Sequence, residues 1–186
     1  VEYADHGVRT AEALRAAAPD VVVNLVEEVP EGSDRLHLVT DLLDRLGLRY
    51  TGARSRALAG LGDKRAMKAR LVAAGLPVAP GLGDVPDGTR FIVKSAREHA
   101  SLGLDEGSVV VGAEAARALM AAKAAEFGGD WFAEAFIDGR EFDLSMVEQV
   151  GSPVPLVFPP AEIVFADHAG RPRIYSYASK WEEGSD

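Results

Sequence analysis

Three lysines, two glutamates and a loop of small residues carry most of the chemistry that residue type and spacing allow in this chain. Lys94 closes the apolar run Phe91-Ile92-Val93 and leads into Ser95-Ala96-Arg97-Glu98-His99-Ala100-Ser101-Leu102-Gly103-Leu104. An ammonium at a strand end can point into a cleft and meet phosphate oxygens. Small residues in the following loop let successive backbone N–H groups approach an anion as a nest. Downstream, residues 130–143 read Asp-Trp-Phe-Ala-Glu-Ala-Phe-Ile-Asp-Gly-Arg-Glu-Phe-Asp. That pattern predicts an apolar strand, a tight turn at Asp138-Gly139 and a second strand opening with an acid. Glu134 and Glu141 bracket the turn, with Phe136 and Ile137 between them. Such a unit can hold a purine edge against backbone and a ribose against a carboxylate. Lys64 falls in the first turn of a helix, where a cation opposes the dipole, so its ammonium is either solvated or used elsewhere. The loop is not a Walker A sequence, which needs two glycines and a Gly-Lys-Ser/Thr ending, nor is it a Rossmann fingerprint.

These residues need elements to position them. Residues 8–18 are alanine-rich and helical, with Pro19-Asp20 as the stop. Val21-Val22-Val23-Asn24-Leu25-Val26 predicts a strand buried on both faces of a parallel sheet. Ser33 or Asp34 can cap a helix whose stripe is Leu36, Val39, Leu43 and Leu46, ended by Gly47. Leu48 to Gly52 predicts a strand and turn, so 21–52 reads as β-loop-α-β, half of a doubly wound sheet. Asp63 caps a helix bearing Met67, Leu71 and Ala74, and Gly75, Pro77 and Pro80 stop it. The Pro/Gly-rich stretch 75–88 is the expected hinge between lobes. Strands follow at 90–94 and 109–111. A helix at 113–127 turns Ala116, Leu119, Met120 and Phe127 inward, and the hairpin spans 131–149. Further strands are expected near 154–157, 161–166 and 172–177.

Composition narrows the function classes. The chain has 186 residues, 47% hydrophobic and 26% charged, an ordinary globular balance for one large domain or two small ones. It contains no cysteine, which excludes disulfides, thiolate nucleophiles and Cys-based zinc sites. No apolar run approaches the ~20 residues that span a bilayer. Glu2, Asp5 and His6 stand where a secretory signal would be basic. A cytoplasmic setting and no membrane partner are expected. The net charge of −9 argues against a nucleic-acid partner. An anionic ligand remains compatible, because a few lysines in a cleft outweigh a distant acidic surface. The chain begins abruptly before a helical pattern and stops just after Lys180-Trp181-Glu182-Glu183, so a fragment is expected.

Taken in order, these pieces resemble the ATP-grasp superfamily, and within it the D-alanine–D-alanine ligase-like carboxylate–amine ligases. Pro19 to Leu25 is similar to the strand that closes the family's N-terminal lobe. Leu48-Arg49-Tyr50-Thr51-Gly52 resembles its Pro-Tyr-Thr-Gly element, and Asp63-Lys64 with Gly75-Leu76-Pro77-Val78 its Asp-Lys…Ala-Gly-Leu-Pro run. Phe91-Ile92-Val93-Lys94 matches its Val-Lys-Pro strand, with Ser95 in place of proline. Tyr175-Ser176-Tyr177-Ala178-Ser179-Lys180-Trp181 resembles its Tyr-Asp-Tyr-x-x-Lys-Tyr segment.

The resemblance implies an α/β chain, α+β in its ATP-grasp lobes. A partial N-terminal doubly wound parallel sheet would be followed by lobes with antiparallel sheets. The implied units are an N-terminal lobe over 1–60, a central ATP-binding lobe over 61–140 and the start of a C-terminal lobe over 141–186. ATP and Mg2+ are the implied cofactors. Lys64 and Lys94 would hold the α- and β-phosphates, with the 95–104 loop folded over the triphosphate. Glu134 would face the adenine amino group, the backbone of Ala135 and Ile137 would read the purine edge, and Phe136 would pack on it. Glu141 would accept from the ribose. Lys180 and Ser101 would serve catalysis, Lys180 at the terminal phosphates. The implied reaction joins an acid to an amine through an acylphosphate, with small amino-acid or peptide substrates and a possible homodimer.

Two departures stand out. The family's Glu-Gly-Ser-Ser-Val-Gly loop becomes Glu98-His99-Ala100-Ser101-Leu102-Gly103, which sets Ala100 where a substrate-positioning serine belongs. Trp181 replaces a tyrosine. Both changes fall on the substrate side, so a substrate other than D-alanine is expected. The family's metal ligands and oxyanion arginine lie beyond the Lys180 segment, so no residue is assigned to the metal. A non-catalytic ATP-binding module on the same scaffold is the second reading. A ligase of another branch, making a glutathione-like peptide, is the third. His99 is a candidate for a contact from within the loop, and Glu162 either pairs on the surface or stands near the lysines.

Overall fold

A computed structural model describes the whole chain except Val1, Glu28, Pro30, Glu31, Ser33, Asp34, Asp84, Asp87, Ala100, 166–169 and 183–186, with side chains from Gly7 onward. Helices α1 (Glu2–Ala17), α2 (His37–Arg45), α3 (Ser55–Leu61) and α4 (Lys64–Ala73) precede a three-stranded sheet. That sheet is built from β1 (Arg90–Ser95), β2 (Val109–Val111) and β3 (Trp131–Ala135), in the order β2-β1-β3 and antiparallel throughout. Helix α5 (Ala113–Phe127) crosses between β2 and β3. Two small antiparallel pairs follow. One joins β4 (Glu141–Asp143) to β7 (Ala161–Ile163), the other β5 (Met146–Val147) to β6 (Leu156–Val157). Helix α6 (Tyr177–Trp181) comes last among the described residues.

The alternation of β1 sets the architecture. Phe91 and Val93 are fully buried and Ser95 nearly so, while Ile92 and Lys94 are only half-buried on the opposite face. A strand with period-two burial gives one face to the core and keeps the other for a cleft. Phe91 and Val93 pack with Trp131 and Ala133 of β3 and Ala116 of α5, flanked by Leu82, Val110, Leu119 and Met120. The expected inward residues of α5 are therefore found at 116, 119 and 120, but Phe127 is 41% exposed. Its ring lies 5.9 Å from that of Trp131.

Several expectations need correction. The Asp138-Gly139 turn does not close a hairpin. β3 pairs with β1, and β4 pairs with β7, so 136–140 is a crossing between two sheets. Gly139 lacks the positive φ that a tight two-residue hairpin turn demands. The 21–26 segment is not a doubly buried strand: Val21, Val23 and Leu25 are 53%, 64% and 82% exposed. Its pairing is one parallel bridge, Val22 with Tyr50, closed by Val22 N–H donating to Arg49 O and Thr51 N–H to Val22 O. Within the stretch 75–88, Ala79 and Pro80 are tied down. Ala135 N–H donates to Pro80 O at 2.8 Å, and Lys68 Nζ donates to Ala79 O at 2.6 Å, so these two residues are stitched to β3 and α4. Residues 172–176 run without strand pairing into α6, where a strand was expected. Helix α3 was not expected either, because none of its residues is buried and it shows no apolar stripe. The proposed caps Ser33 and Asp34 lie outside the described residues. Leu36 occupies the N-cap of α2 without a side-chain bond. Leu43 of the expected stripe is buried, as is Thr40, whose hydroxyl donates to His37 O.

Asp63 caps α4 as expected, its carboxylate accepting from Arg65 N–H at 2.8 Å. Arg65 and Arg97 both reach Asp63 and Asp130, tying the start of α4 to the loop after β1.

Gly103 is the tightest backbone position near the cleft. Its φ is +63°, and a Cβ there would stand 2.8 Å from Trp131 Cη2 and 3.2 Å from Phe127 Cε2. Gly103→Ala should therefore cost about 2 kcal/mol from the left-handed backbone and the clash combined. Chemical denaturation measures this, and a change below about 0.5 kcal/mol would contradict the packing described.

Candidate functional site

The even-numbered face of β1 and the matching face of β3 form the floor of a cavity of about 320 Å³. Ile92 and Lys94 of β1 and Glu134 of β3 line it, since Ile92 pairs with Glu134 and Lys94 with Phe132 across the strands. Ala135, Phe136 and Ile137, which leave β3, form one wall, and Glu141 opens β4 beyond them. Ser101 and Leu104 of the loop, with Arg173, Ile174, Tyr175 and Lys180, form the rest. A second cavity of about 240 Å³ adjoins it, lined by Lys64, Lys68, Leu71 and Phe132, and shares Lys94 and Glu134 as a partition.

Charge is concentrated here against the sign of the whole chain. The two cavities carry five cations, Lys64, Lys68, Lys94, Arg173 and Lys180, and only two carboxylates, Glu134 and Glu141. Glu134 is already neutralised. Its side chain is 12% exposed, with Lys94 Nζ 2.5 Å from Oε1 and Lys68 Nζ hydrogen-bonded to Oε2. Burial alone would raise its pKa, but Lys94 first and then Lys68 hold it below the ordinary carboxylate range. Glu141 makes no ion pair among the described residues, and Lys180 Nζ rests 4.6 Å from the centre of the Tyr175 ring. The uncompensated field of this cleft is positive, which favours an anion.

Lys64 sits at the start of α4 and turns back. Its N–H donates to Ala96 O, and its ammonium donates to Ser95 O at 3.1 Å and to Glu98 O. Burial lowers its pKa, and the nearby charge of Lys94 adds to this. A depressed lysine pKa means the unfolded chain binds more protons. The cost of the buried charge is thus fully present below the folded pKa, and stability rises with pH from there towards 10.5. Lys64→Met should consequently leave stability unchanged or slightly raised while weakening nucleotide binding by about tenfold. Parallel melting and ATP titration read both, and equal ATP affinity would remove Lys64 from the site.

The loop behaves differently from the expected anion nest at its start. The Ser95 hydroxyl accepts from Glu98 N–H at 3.0 Å and Arg97 N–H at 3.4 Å, so those amides are already engaged. The serine that replaces proline thus shapes the loop through its side chain. Farther on, Ser101 adopts a left-handed φ of 62° and its hydroxyl donates to Tyr175 O at 2.9 Å. Tyr177 N–H donates to Leu104 O at 3.1 Å. The loop is therefore closed onto the segment that carries Lys180. Ala100, expected from the resemblance to stand in place of a serine, lies outside the described residues.

No protein-family model matches the chain. In sequence it is 33% identical over 166 residues to a D-alanine–D-alanine ligase of Gluconobacter oxydans, an alignment covering 85% of this chain and 52% of that one. In structure it matches D-alanyl-alanine synthetase A of Vibrio cholerae with a TM-score of 0.60 at 22% identity, over 90% of this chain and 50% of the other. The chain is thus similar in sequence to D-alanine–D-alanine ligases, and its fold is ATP-grasp-like. The chain spans about half the length of the curated relatives it matches. The same fold likeness extends to a biotin carboxylase domain of Hydrogenobacter thermophilus in complex with MgADP, at a TM-score of 0.54 and 17% identity over 74% of this chain and 32% of that one.

Of the residues singled out in the sequence, Lys94, Glu134, Ala135, Phe136, Ile137, Glu141, Ser101 and Lys180 share one cavity. Lys64 lines the adjoining one instead. Ala135 N–H is spent on Pro80 O, so only its carbonyl is left to read a base. Phe136 packs under the Arg90 guanidinium, 4.8 Å from the ring centre. Glu162 is on the surface, bonded bidentately by Arg140 at 2.7 Å, and lines neither cavity. Sequence reasoning missed Lys68 and Arg173. The first was findable, because Lys68 follows Lys64 by four residues and shares its helix face. Among the described residues no cluster of three His, Asp or Glu side chains is placed to hold a metal ion. No helix among them is long and apolar enough to cross a membrane.

Proposed function

We propose that this chain forms the nucleotide-binding part of an ATP-dependent, ADP-forming carboxylate–amine ligase, and that its cavity takes ATP. The observation that carries the reading is the gathering of Lys94, Lys180, Glu134, Glu141 and the 135–137 backbone on one cavity by four separate stretches of chain. Lys94 and Lys64 meet the inner phosphates and Lys180 the terminal ones. The Ala135 carbonyl and Ile137 N–H meet the purine edge, and Glu141 accepts from the ribose. Glu134, fixed between Lys68 and Lys94, presents an oriented carboxylate to the base. When bound, ATP supplies the activation of a carboxylate for attack by an amine. The protein's part is orientation and charge neutralisation. A biotin carboxylase domain of similar fold is complexed with MgADP, and a D-alanine–D-alanine ligase of Bacillus anthracis with ATP, which supports ATP and magnesium here. The described residues do not supply a magnesium site, so no step is assigned to one.

The lobes divide as 1–60, 61–140 and 141–186. The isolated parallel bridge between Val22 and Tyr50 supports reading the first lobe as part of a doubly wound sheet. The relatives are D-alanine–D-alanine ligases, and the resemblance read in the sequence implies that Ala100 and Trp181 depart on the substrate side. The substrate pair is accordingly an amino acid other than D-alanine, or a small peptide, joined in the cytoplasm. Nothing observed favours the non-catalytic alternative. Phosphate release from ATP, screened across pairs of amino acids and short peptides, tests the reading. Release that depends on one pair and fails with D-alanine alone is expected, whereas no release with any pair would contradict it.

A further inference from the structure

Lys123 lies on α5 with its side chain only 8% exposed. A lysine there costs stability unless its ammonium is paired and hydrogen-bonded. It is both. Nζ donates to Gly103 O at 2.7 Å and to Asp105 Oδ2 at 2.9 Å, and lies 5.5 Å from the centre of the Phe127 ring. Asp105 is held in turn by Ser108, whose hydroxyl donates to Asp105 Oδ1 at 3.2 Å and accepts from Asp105 N–H at 3.0 Å. The carbonyl between the two clamped points, Leu104 O, accepts from Tyr177 N–H, the first residue of α6. Ser176 caps that helix, accepting from Ser179 N–H, and Lys180 sits in its last turn. An ammonium on α5 thus fixes the loop, and the loop fixes the short helix that carries Lys180. An apolar residue of equal length would fill the same space without the desolvation cost, so stability alone does not call for a lysine here.

We propose that Lys123 is a positioning residue of the nucleotide site: clamped on Gly103 and Asp105, it sets where Lys180 stands without touching the ligand. The inference rests on the ATP reading above and adds a distant anchor to it. Lys123→Met removes both bonds at nearly constant volume. Asp105→Asn weakens the clamp from the exposed side while keeping an oxygen for the cap.

Calorimetric titration of wild type and both variants with ATP, and separately with adenosine, tests this. Lys123→Met should bind ATP about tenfold more weakly while adenosine affinity is kept, because only the phosphate end depends on Lys180. Asp105→Asn should move the same way by a smaller factor. Adding Lys123→Met to Lys180→Ala should then cost no further ATP affinity. ATP affinity within about twofold of wild type in Lys123→Met overturns the inference, as does an equal loss for ATP and adenosine, which would mean general damage. Should Lys123→Met not fold, Asp105→Asn decides by the same two criteria. A wild-type chain that binds no ATP overturns the nucleotide reading and this inference with it. Normal wild-type binding with an indifferent Lys123→Met overturns this inference alone.

Discussion

Replacing Lys94 with alanine is expected to weaken ATP binding by about a hundredfold, the largest effect of any single change in the cleft. Lys94 is the one side chain that lines both cavities as a cation, and it stands 2.5 Å from the Glu134 carboxylate. Two effects add in the variant. A charge-assisted contact to phosphate disappears, worth about 1.5–3 kcal/mol. Glu134 also keeps only Lys68, so more of its negative charge faces the incoming nucleotide. The strand itself should survive, because Phe91 and Val93 hold the core from the other face of β1. Equilibrium titration, with Arg45→Ala on α2 as a distant control, measures the change. A loss under about threefold would take Lys94 out of the phosphate site.

Glu134→Gln is the second large effect, and it is read in stability and pH. The carboxylate is the only acidic partner of Lys94 and Lys68 among the described ion pairs, and its removal strands two half-buried ammonium groups. Breaking a buried pair from one side costs about 3–5 kcal/mol. With Lys94 32% exposed, water recovers part of that, so about 2 kcal/mol is expected. The pH dependence carries its own sign. The folded pKa of Glu134 lies below the ordinary 4.5, so in the window between the two values the unfolded chain binds the extra proton. The stabilisation is fully present above 4.5 and is lost as pH falls through the folded value. Wild type should lose this contribution on acidification and Glu134→Gln should not, so their denaturation midpoints should converge at low pH. Parallel curves down to pH values well under 4.5 would contradict the ion-pair account.

What could be read directly from the sequence was what depends on local pattern. The apolar run Phe91-Ile92-Val93 ended by Lys94 predicted a strand that delivers an ammonium to a cleft, and Lys94 does line one. The Asp63 cap and the stop at Gly75 are chemistry between near neighbours, and both ends of α4 came out accordingly. Non-local partners were not readable. Trp131–Ala135 and Glu141–Asp143 look like two arms of a hairpin because Asp-Gly lies between them, yet each finds its partner elsewhere, β1 at 90–95 and β7 at 161–163. Local turn propensity lost to the pairing of two separate sheets. Lys123 shows a different limit. Its helix was predictable, but a lysine's burial depends on Gly103 and Asp105 eighteen or more residues away. The Val21–Val26 run shows the converse, an apolar pattern that predicts burial where the described chain offers one parallel bridge.

The account stands on one geometric claim, that a nucleotide lies with its base along 135–137 and its phosphates towards Lys94 and Lys180. A crystal structure of the protein with magnesium and a non-hydrolysable ATP analogue tests it most directly. The account predicts the ribose beside Glu141 and phosphate oxygens within hydrogen-bonding distance of both lysines, with Lys180 drawn off the Tyr175 ring. An analogue bound elsewhere, or one that leaves Lys180 stacked on Tyr175 and Glu141 in solvent, would contradict it.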